Sequence, residues 1–378
     1  MKITQHLWTE GIGWTPALPN GGAPAQLVLL FGSGPQLRSA PRLAEIGRAF
    51  AQATSIGCST AGEVAGTRVH DDTLVATAVH FEHCGVDSVD VPVAPDDDGA
   101  EAACEVARAL VRPGLRHVLT LCDGLAVNGS AFAHALRAAL PPDVCATGGL
   151  AADGDRFAET LVCHNGQARS ARVVAVGLYG AALRVGYGSL GGWDSFGPVR
   201  RVTRSRGKEL FELDGESALA LYKTYLGEHA RGLPGSALLF PLLLDDPDGG
   251  PGVVRAVLGV DEAAGSLSFA GDIPEGAQAR LMRANFDRLI DGASGAAGAS
   301  LQHLDGQQAG LALLVSCVGR RLVLRQRVEE EVEAVREVLP HAVLTGFYSY
   351  GELCPQGEVG RCELHNQTMT ITTLGEQA

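Results

Sequence analysis

The chain states one short plan three times, and this repetition limits its fold more than any other feature. An apolar run at 27–31 is followed by a helical spacing at 43–53, the segment Gly57-Cys58-Ser59-Thr60-Ala61-Gly62-Glu63, a turn at His70-Asp71-Asp72 and an apolar run at 73–81. The same order returns with 118–122, 130–140, Gly148-Gly149, His164-Asn165-Gly166 and 172–179. It returns again with 311–317, 328–339, Gly346-Phe347-Tyr348-Ser349-Tyr350-Gly351-Glu352, His365-Asn366 and 368–374. The first and third copies share G-x-x-[ST]-x-G-E. Self-similarity of this kind marks a multiplied supersecondary unit. Strand–helix–strand is most simply a parallel crossover, and the additional strands make the sheets mixed. The expected class is therefore α/β, mixed α+β, with sheets flanked by helices and built from strand–helix–strand–glycine-loop units.

Length and charge set the outer bounds. A chain of 378 residues holds two or three domains. Residues 1–24 carry Gly and Pro without a period and read as an irregular lead-in. The Leu233-Pro234-Gly235 break after a helical stretch at 216–225 divides the remainder into domains at 25–229 and 230–378. Within the second domain, 278–292 reads as a helix. The net charge of −13 opposes general nucleic-acid binding, which needs a basic face. The densest basic group is Arg200, Arg201, Arg204 and Arg206. Nine irregularly spaced cysteines without C-x-x-C do not form a disulfide framework. No apolar run reaches the ~18 residues of a membrane helix, and the first residues lack a leader pattern. The expectation is a cytoplasmic protein that binds neither membrane nor nucleic acid.

The glycine segments carry the candidate chemistry. Gly57 and Gly62 allow close backbone approach, Ser59 and Thr60 offer hydroxyls, and Glu63 offers a carboxylate. Gly148 and Gly149, and then Tyr348, Ser349, Tyr350, Gly351 and Glu352, repeat the offer. The same residues also read as tight turns in which the glutamate closes a structural hydrogen bond. Neither a P-loop nor G-x-S-x-G is present. Cys58 is either a reactive thiol or a packed small residue. Asp123 and Asn128 read as a turn and a helix N-cap, or as pocket groups at a strand's carboxyl end. His70, His164 and His365 each precede Asx, which favours turns. Cys354, Cys362 and His365 match no standard zinc spacing. The absence of a nucleophile–base arrangement, a paired-carboxylate motif or a nucleotide fingerprint favours a binding protein over an enzyme.

At Gly57–Glu63 and Gly346–Glu352, with Ser316-Cys317-Val318-Gly319-Arg320 and His365-Asn366-Gln367-Thr368, the chain resembles FIST-domain proteins from about residue 26 to 374. The resemblance implies a two-domain FIST architecture and a stand-alone sensory module that binds a small ligand without catalysis. Gly192-Trp193-Asp194-Ser195-Phe196-Gly197-Pro198 and Phe269-Ala270-Gly271-Asp272 are similar to the NosP-type subgroup. That likeness implies haem, nitric oxide sensing and a histidine kinase or cyclic-di-GMP enzyme as partner. A haem needs an axial ligand, for which the candidates are His365, His164 and Cys354. The alternatives are a small polar ligand such as an amino acid, held by Ser59, Thr60, Glu63 and their counterparts, with Asn366 a further pocket candidate, and a thiol- or metal-dependent enzyme using Cys58 or the Cys354, Cys362 and His365 group.

Overall fold

In a computed structural model, which describes residues 1–245, 252–304, 306–356 and 361–377, the three copies are three units of one plan. Unit one comprises β1 (Lys2–Thr9), β2 (Gly13–Thr15), β3 (Leu27–Gly32), α1 (Gly34–Leu37), α2 (Ala40–Ala49), β4 (Thr54–Ser59), β5 (Glu63–Ala65), β6 (Arg68–His70) and β7 (Leu74–His80). Unit two comprises β8 (Gly85–Pro92), α3 (Ala100–Leu110), β9 (Leu115–Cys122), α4 (Gly129–Ala139), β10 (Cys145–Leu150), β11 (Val162–His164), β12 (Gln167–Arg169) and β13 (Arg172–Tyr179). Unit three opens with β14 (Leu183–Leu190) and is then interrupted by an insert. The insert holds β15 (Asp194–Arg206), β16 (Glu209–Leu213), β17 (Glu216–Ser217), α5 (Ala218–Leu226), β18 (Leu242–Leu244), β19 (Val253–Arg255), β20 (Val257–Asp261), β21 (Ser266–Phe269) and β22 (Gln278–Arg283). The unit resumes with α6 (Phe286–Leu301), β23 (Leu311–Cys317), α7 (Val318–Leu324), α8 (Val328–Val338), β24 (Val343–Ser349), β25 (Gly351–Gln356), β26 (Arg361–His365) and β27 (Met369–Glu376).

The pairing repeats with the sequence. β3, β9 and β23 run parallel to β4, β10 and β24 across their crossover helices. On the other side they pair antiparallel with β7, β13 and β27, and β1, β8 and β14 continue the three sheets. Each unit then lends a hairpin to another unit's sheet. β5 pairs β24, β11 pairs β4, and β25 pairs β10. The exchange closes a ring of three mixed sheets. The insert forms a fourth sheet, antiparallel throughout its described pairs.

Alternation along the central strands gives each sheet two buried faces. One face of every sheet meets a shared interior, where Leu29, Phe31 and Ile56 join Leu119, Leu121 and Val176, and Leu313, Val315 and Phe347. The Phe31 and Phe347 rings stack there at 4.8 Å. The outer faces carry helices, through Leu43 and Ile46 of α2 and through Phe132, Leu136, Val332 and Val335 of α4 and α8. The insert has its own core around Tyr222, Leu267 and Phe269. No helix among the described residues is long and apolar enough to cross a membrane.

Three segments differ from the sequence reading. The lead-in contains β1 and β2, and the half-exposed side chains of β1 gave its period no apolar signature. Residues 278–292 are not one helix: β22 occupies the first six, between β15 and β18, and α6 starts after Asn285, whose side chain accepts from the Arg288 amide. His164-Asn165-Gly166 is the tip between β11 and β12, whereas His70 and His365 end the second strands of their hairpins. The second copy of the His-Asx motif is therefore not equivalent to the other two. The boundary expected at 229/230 falls in a 3-10 turn of the insert, Gly227–Gly232.

Gly57, Gly148 and Gly346 occupy one position of the unit, opposite Leu30, Thr120 and Leu314. A Cβ there would lie 2.1, 1.8 and 1.9 Å from the carbonyl oxygens of those partners. Gly346→Ala should therefore force β23 and β24 apart and destabilise the protein by ~3 kcal/mol, as overpacking of rigid neighbours does. Urea denaturation with an unchanged midpoint would contradict this.

Candidate functional site

The glycine segments are crossings between sheets, not open loops. Between β4 and β5, and between β24 and β25, the chain leaves its own sheet for that of another unit. Ser59 Oγ accepts from the Leu161 amide at 2.9 Å. Glu63, buried, accepts from the Thr60 hydroxyl and from the Thr73 hydroxyl and amide, at 2.7 and 3.3 Å for the latter two. Glu352 repeats the arrangement with Ser349 at 2.7 Å and with the Thr368 hydroxyl and amide at 2.9 and 3.4 Å. Unit two has Gly154 where the glutamate would stand, and Asp123 at the end of β9 substitutes for it. Its Oδ2 accepts from the Ala171 amide at 2.6 Å, and its Oδ1 accepts from Thr160 and from the Leu125 and Ala126 amides. Tyr348 donates to Glu331 at 2.6 Å. Tyr350 donates to Asp153 and stacks on Phe157. These hydroxyls and carboxylates hold the crossings together, so the expected pocket of Ser59, Thr60, Glu63, Ser349 and Glu352 is not formed: their polar atoms are engaged by one another and by backbone amides.

The haem candidates are also engaged. His365 is buried, and its Nε2 proton goes to the Cys354 carbonyl at 3.1 Å; burial pushes the imidazole down to about 4. His164 lies at the hairpin tip with Nε2 2.9 Å from Ser88 Oγ, its pKa lowered chiefly by burial. Burial holds the Cys354 thiol well above its ordinary value. With both Nε2 atoms engaged and the Cys354 side chain completely buried, these atoms as placed do not fit a haem. Cys58 is completely buried, with its thiol likewise pushed well up, which removes it as a nucleophile. Among the described residues no group of three His, Cys, Asp or Glu side chains is placed to hold a metal ion, Cys354, Cys362 and His365 included.

One turn behaves differently. Asn366 is fully buried, and neither Nδ2 nor Oδ1 has a partner among the described residues. Its neighbour Gln367, at φ +61°, leaves Oε1 unpaired while Nε2 donates to the Leu238 carbonyl at 3.3 Å. Strand register makes Asp71 and Asn366 equivalent, each five residues before the partner of Leu30 or Leu314. Asp71 is taken by Arg321 at 2.8 and 2.6 Å. The residues after them, Asp72 and Gln367, are both left-handed, as is Ala171 in unit two, so that strain belongs to the turn rather than to a ligand.

The insert rests on this turn. Trp193 Nε1 donates to the Gln367 carbonyl at 2.7 Å, and Arg255 Nη1 donates to the Leu364 carbonyl at 2.9 Å. The fully buried Arg320 donates to the carbonyls of Gly191 and Leu289, where the chain leaves and rejoins unit three, and pairs with Glu331 at 2.7 Å. Gly129, Gly271 and Gly351 surround the Leu364 side chain, and Asn366 Nδ2 lies 3.6 Å from the Cβ position of Gly351. Asn128 donates to Asp272 at 3.1 Å across the same seam. Of the sequence candidates, the fold thus gathers Asn128, Gly351 and Asn366. Cys58, Ser59, Thr60 and Glu63 belong to the other crossing, Gly149 lies against Val315 and Phe347 of the interior, and Gly148 presses on the Thr120 carbonyl. The sequence reading missed Arg255 and Gln367 as site residues. Trp193 and Asp272 lay in segments already singled out, whereas Arg255 lies in no motif.

Burial raises Glu63 to about 7 and Glu352 to about 8, against an ordinary 4.5, and their hydrogen bonds only partly offset it. Folded carboxyls of this kind keep their protons while the unfolded ones lose theirs, so their contribution is complete below the unfolded pKa and is lost as pH rises to the folded one. Glu352→Gln removes that dependence. Its unfolding free energy relative to wild type should rise between about pH 5 and about pH 8 in urea titrations; a difference independent of pH would contradict the assignment.

Comparison with known proteins agrees with this architecture. The FIST N domain model matches residues 26–216, and the FIST C domain model matches residues 218–355. No curated protein matches. Among solved structures, cyanuric acid hydrolase from A. caulinodans is similar at 13% identity and a TM-score of 0.18, over 78% of this chain and 100% of that one. A score that low carries no argument about fold or activity. With both domain models matched in tandem over most of its length, the chain belongs to the FIST family of sensory signalling domains.

Proposed function

We propose that this FIST chain senses a small polar molecule that hydrogen-bonds the side-chain amide of Asn366, and that the insert reports its arrival. The observation that carries this reading is the amide itself, buried with both polar atoms unpaired. Leaving a buried polar group unsatisfied costs about 1–3 kcal/mol, so native structures seldom do it without a reason. A ligand with one donor and one acceptor would satisfy both atoms, and a free amino acid has that chemistry. Such a ligand would press on a turn that already contacts the insert through Trp193, Leu238 and Arg255. It would thereby bias how the insert sits, which is the differential contact a sensor needs. The signal would pass to a partner, and the family resemblance points to a histidine kinase or a cyclic-di-GMP enzyme.

The test is a thermal-shift and calorimetric screen of the full chain against the twenty common amino acids, with a haem titration alongside. The expected result is a saturable response to at least one amino acid, weakened about tenfold in Asn366→Leu, the loss expected for two hydrogen bonds. No response, or equal affinity in the variant, would overturn the reading. A sharp, saturable Soret band that moves with nitric oxide would replace it with the haem sensor of the NosP-type resemblance.

A further inference from the structure

We infer that the seam beside Asn366 contains an oxyanion subsite whose cation is Arg255, so that the sensed molecule carries a carboxylate or phosphate group; this rests on the reading of Asn366 as the ligand's anchor. Arg255 ends β19 and is only 4% exposed. Its guanidinium donates to two backbone carbonyls, Asp272 at 3.2 Å through Nε and Leu364 at 2.9 Å through Nη1. No carboxylate among the described residues reaches ion-pair distance of it. Arg320, also deeply buried, shows the contrast: it has Glu331 as a full counter-charge. A buried cation without an anion is costly, and guanidinium geometry suits oxyanions in particular. Burial also lowers the Arg255 pKa, while the more distant Glu363 and Asp272 raise it.

The surroundings suit a small acid. Arg255 and Asn366 flank Leu364, whose side chain lies in the cradle of Gly129, Gly271 and Gly351. On the insert side Lys208 is half-buried, also without an ion pair among the described residues, and feels Asp272 and Asp98 from a distance. The Asp272 carboxylate is engaged by Asn128, and its amide by Ser130 Oγ at 3.3 Å. The seam therefore offers a guanidinium for an oxyanion and a neutral amide for the rest of the molecule. An acid bound there would join the insert, through Arg255, to the turn, through Asn366.

The experiment compares N-acetylglycine with its neutral twin N-acetylglycinamide, and both with inorganic phosphate, by calorimetry on the full chain at constant ionic strength. The acid should bind at least about tenfold more tightly than the amide, the difference expected of one charge-assisted bond. Arg255→Gln should erase that preference, and Arg255→Lys should keep part of it. Binding of phosphate alone, lost in Arg255→Gln, would support the subsite with phosphate as its source. Equal affinity for acid and amide would overturn the subsite and leave the Asn366 reading standing; loss of all binding, by these probes and by amino acids alike, would overturn both. Asn366→Asp covers the case in which Arg255→Gln fails to fold. It places at 366 the residue the chain already uses at the equivalent position 71, and its negative charge should abolish acid binding; unchanged acid binding in a folded Asn366→Asp would overturn the subsite.

Discussion

Three glycines pressed against three carbonyls set the geometry on which everything else depends. At Gly57, Gly148 and Gly346 each parallel strand pair comes closer than any Cβ would permit. The strands then run on past the edge of their own sheet and lend a hairpin to the next. Three backbone bonds repeat this crossing around the ring: Ala61 to Tyr348, Ala152 to Ser59, and Tyr350 to Leu150. Each donor belongs to one unit and each acceptor to another, so no unit completes its sheet alone. The fold is cooperative by construction, because opening one crossing removes strands from two sheets.

The buried carboxylates follow from that constraint. A chain crossing between sheets leaves amides unpaired at the start of the final strand of each unit, and a buried amide must be satisfied. Glu63 and Glu352 do this from the hairpin, and Asp123 does it from the end of β9. The same need is met by different positions in different units. Sequence could therefore show the shared G-x-x-[ST]-x-G-E motif and the glycines, but could not tell that Asp123 plays the part missing from unit two. The histidine motif misled for a related reason. His164-Asn165 and His365-Asn366 look alike in sequence, yet one pair sits at a hairpin tip and the other at a hairpin exit, a distinction set by strand pairing rather than local composition.

Most of the three-unit architecture was legible because glycine, apolar runs and crossover helices are local signals. The site was legible only in part. Asn366, Asn128 and Gly351 stood out by type and position, but their gathering depends on β25 joining β10 and on where the insert rests. Arg255 had no local signal: its meaning comes from its having no ion pair among the described residues, which only packing reveals. The insert is what distinguishes unit three from the others. It rests on a turn that leaves a buried side-chain amide unpaired among the described residues, whereas the equivalent turn of unit one is closed by Arg321 and Asp71. The ring thus keeps the Asn366 position chemically unfinished among the described residues, and the insert touches that position.

The most direct measurement is a high-resolution crystal structure of the full chain grown with and without the amino acid that binds best. The account predicts density for the added molecule within hydrogen-bond distance of Asn366 Nδ2 and Oδ1, together with a displacement of the insert at Trp193 and Arg255. An Asn366 amide paired to protein groups or to isolated waters in both crystals, with the insert unmoved, would contradict it.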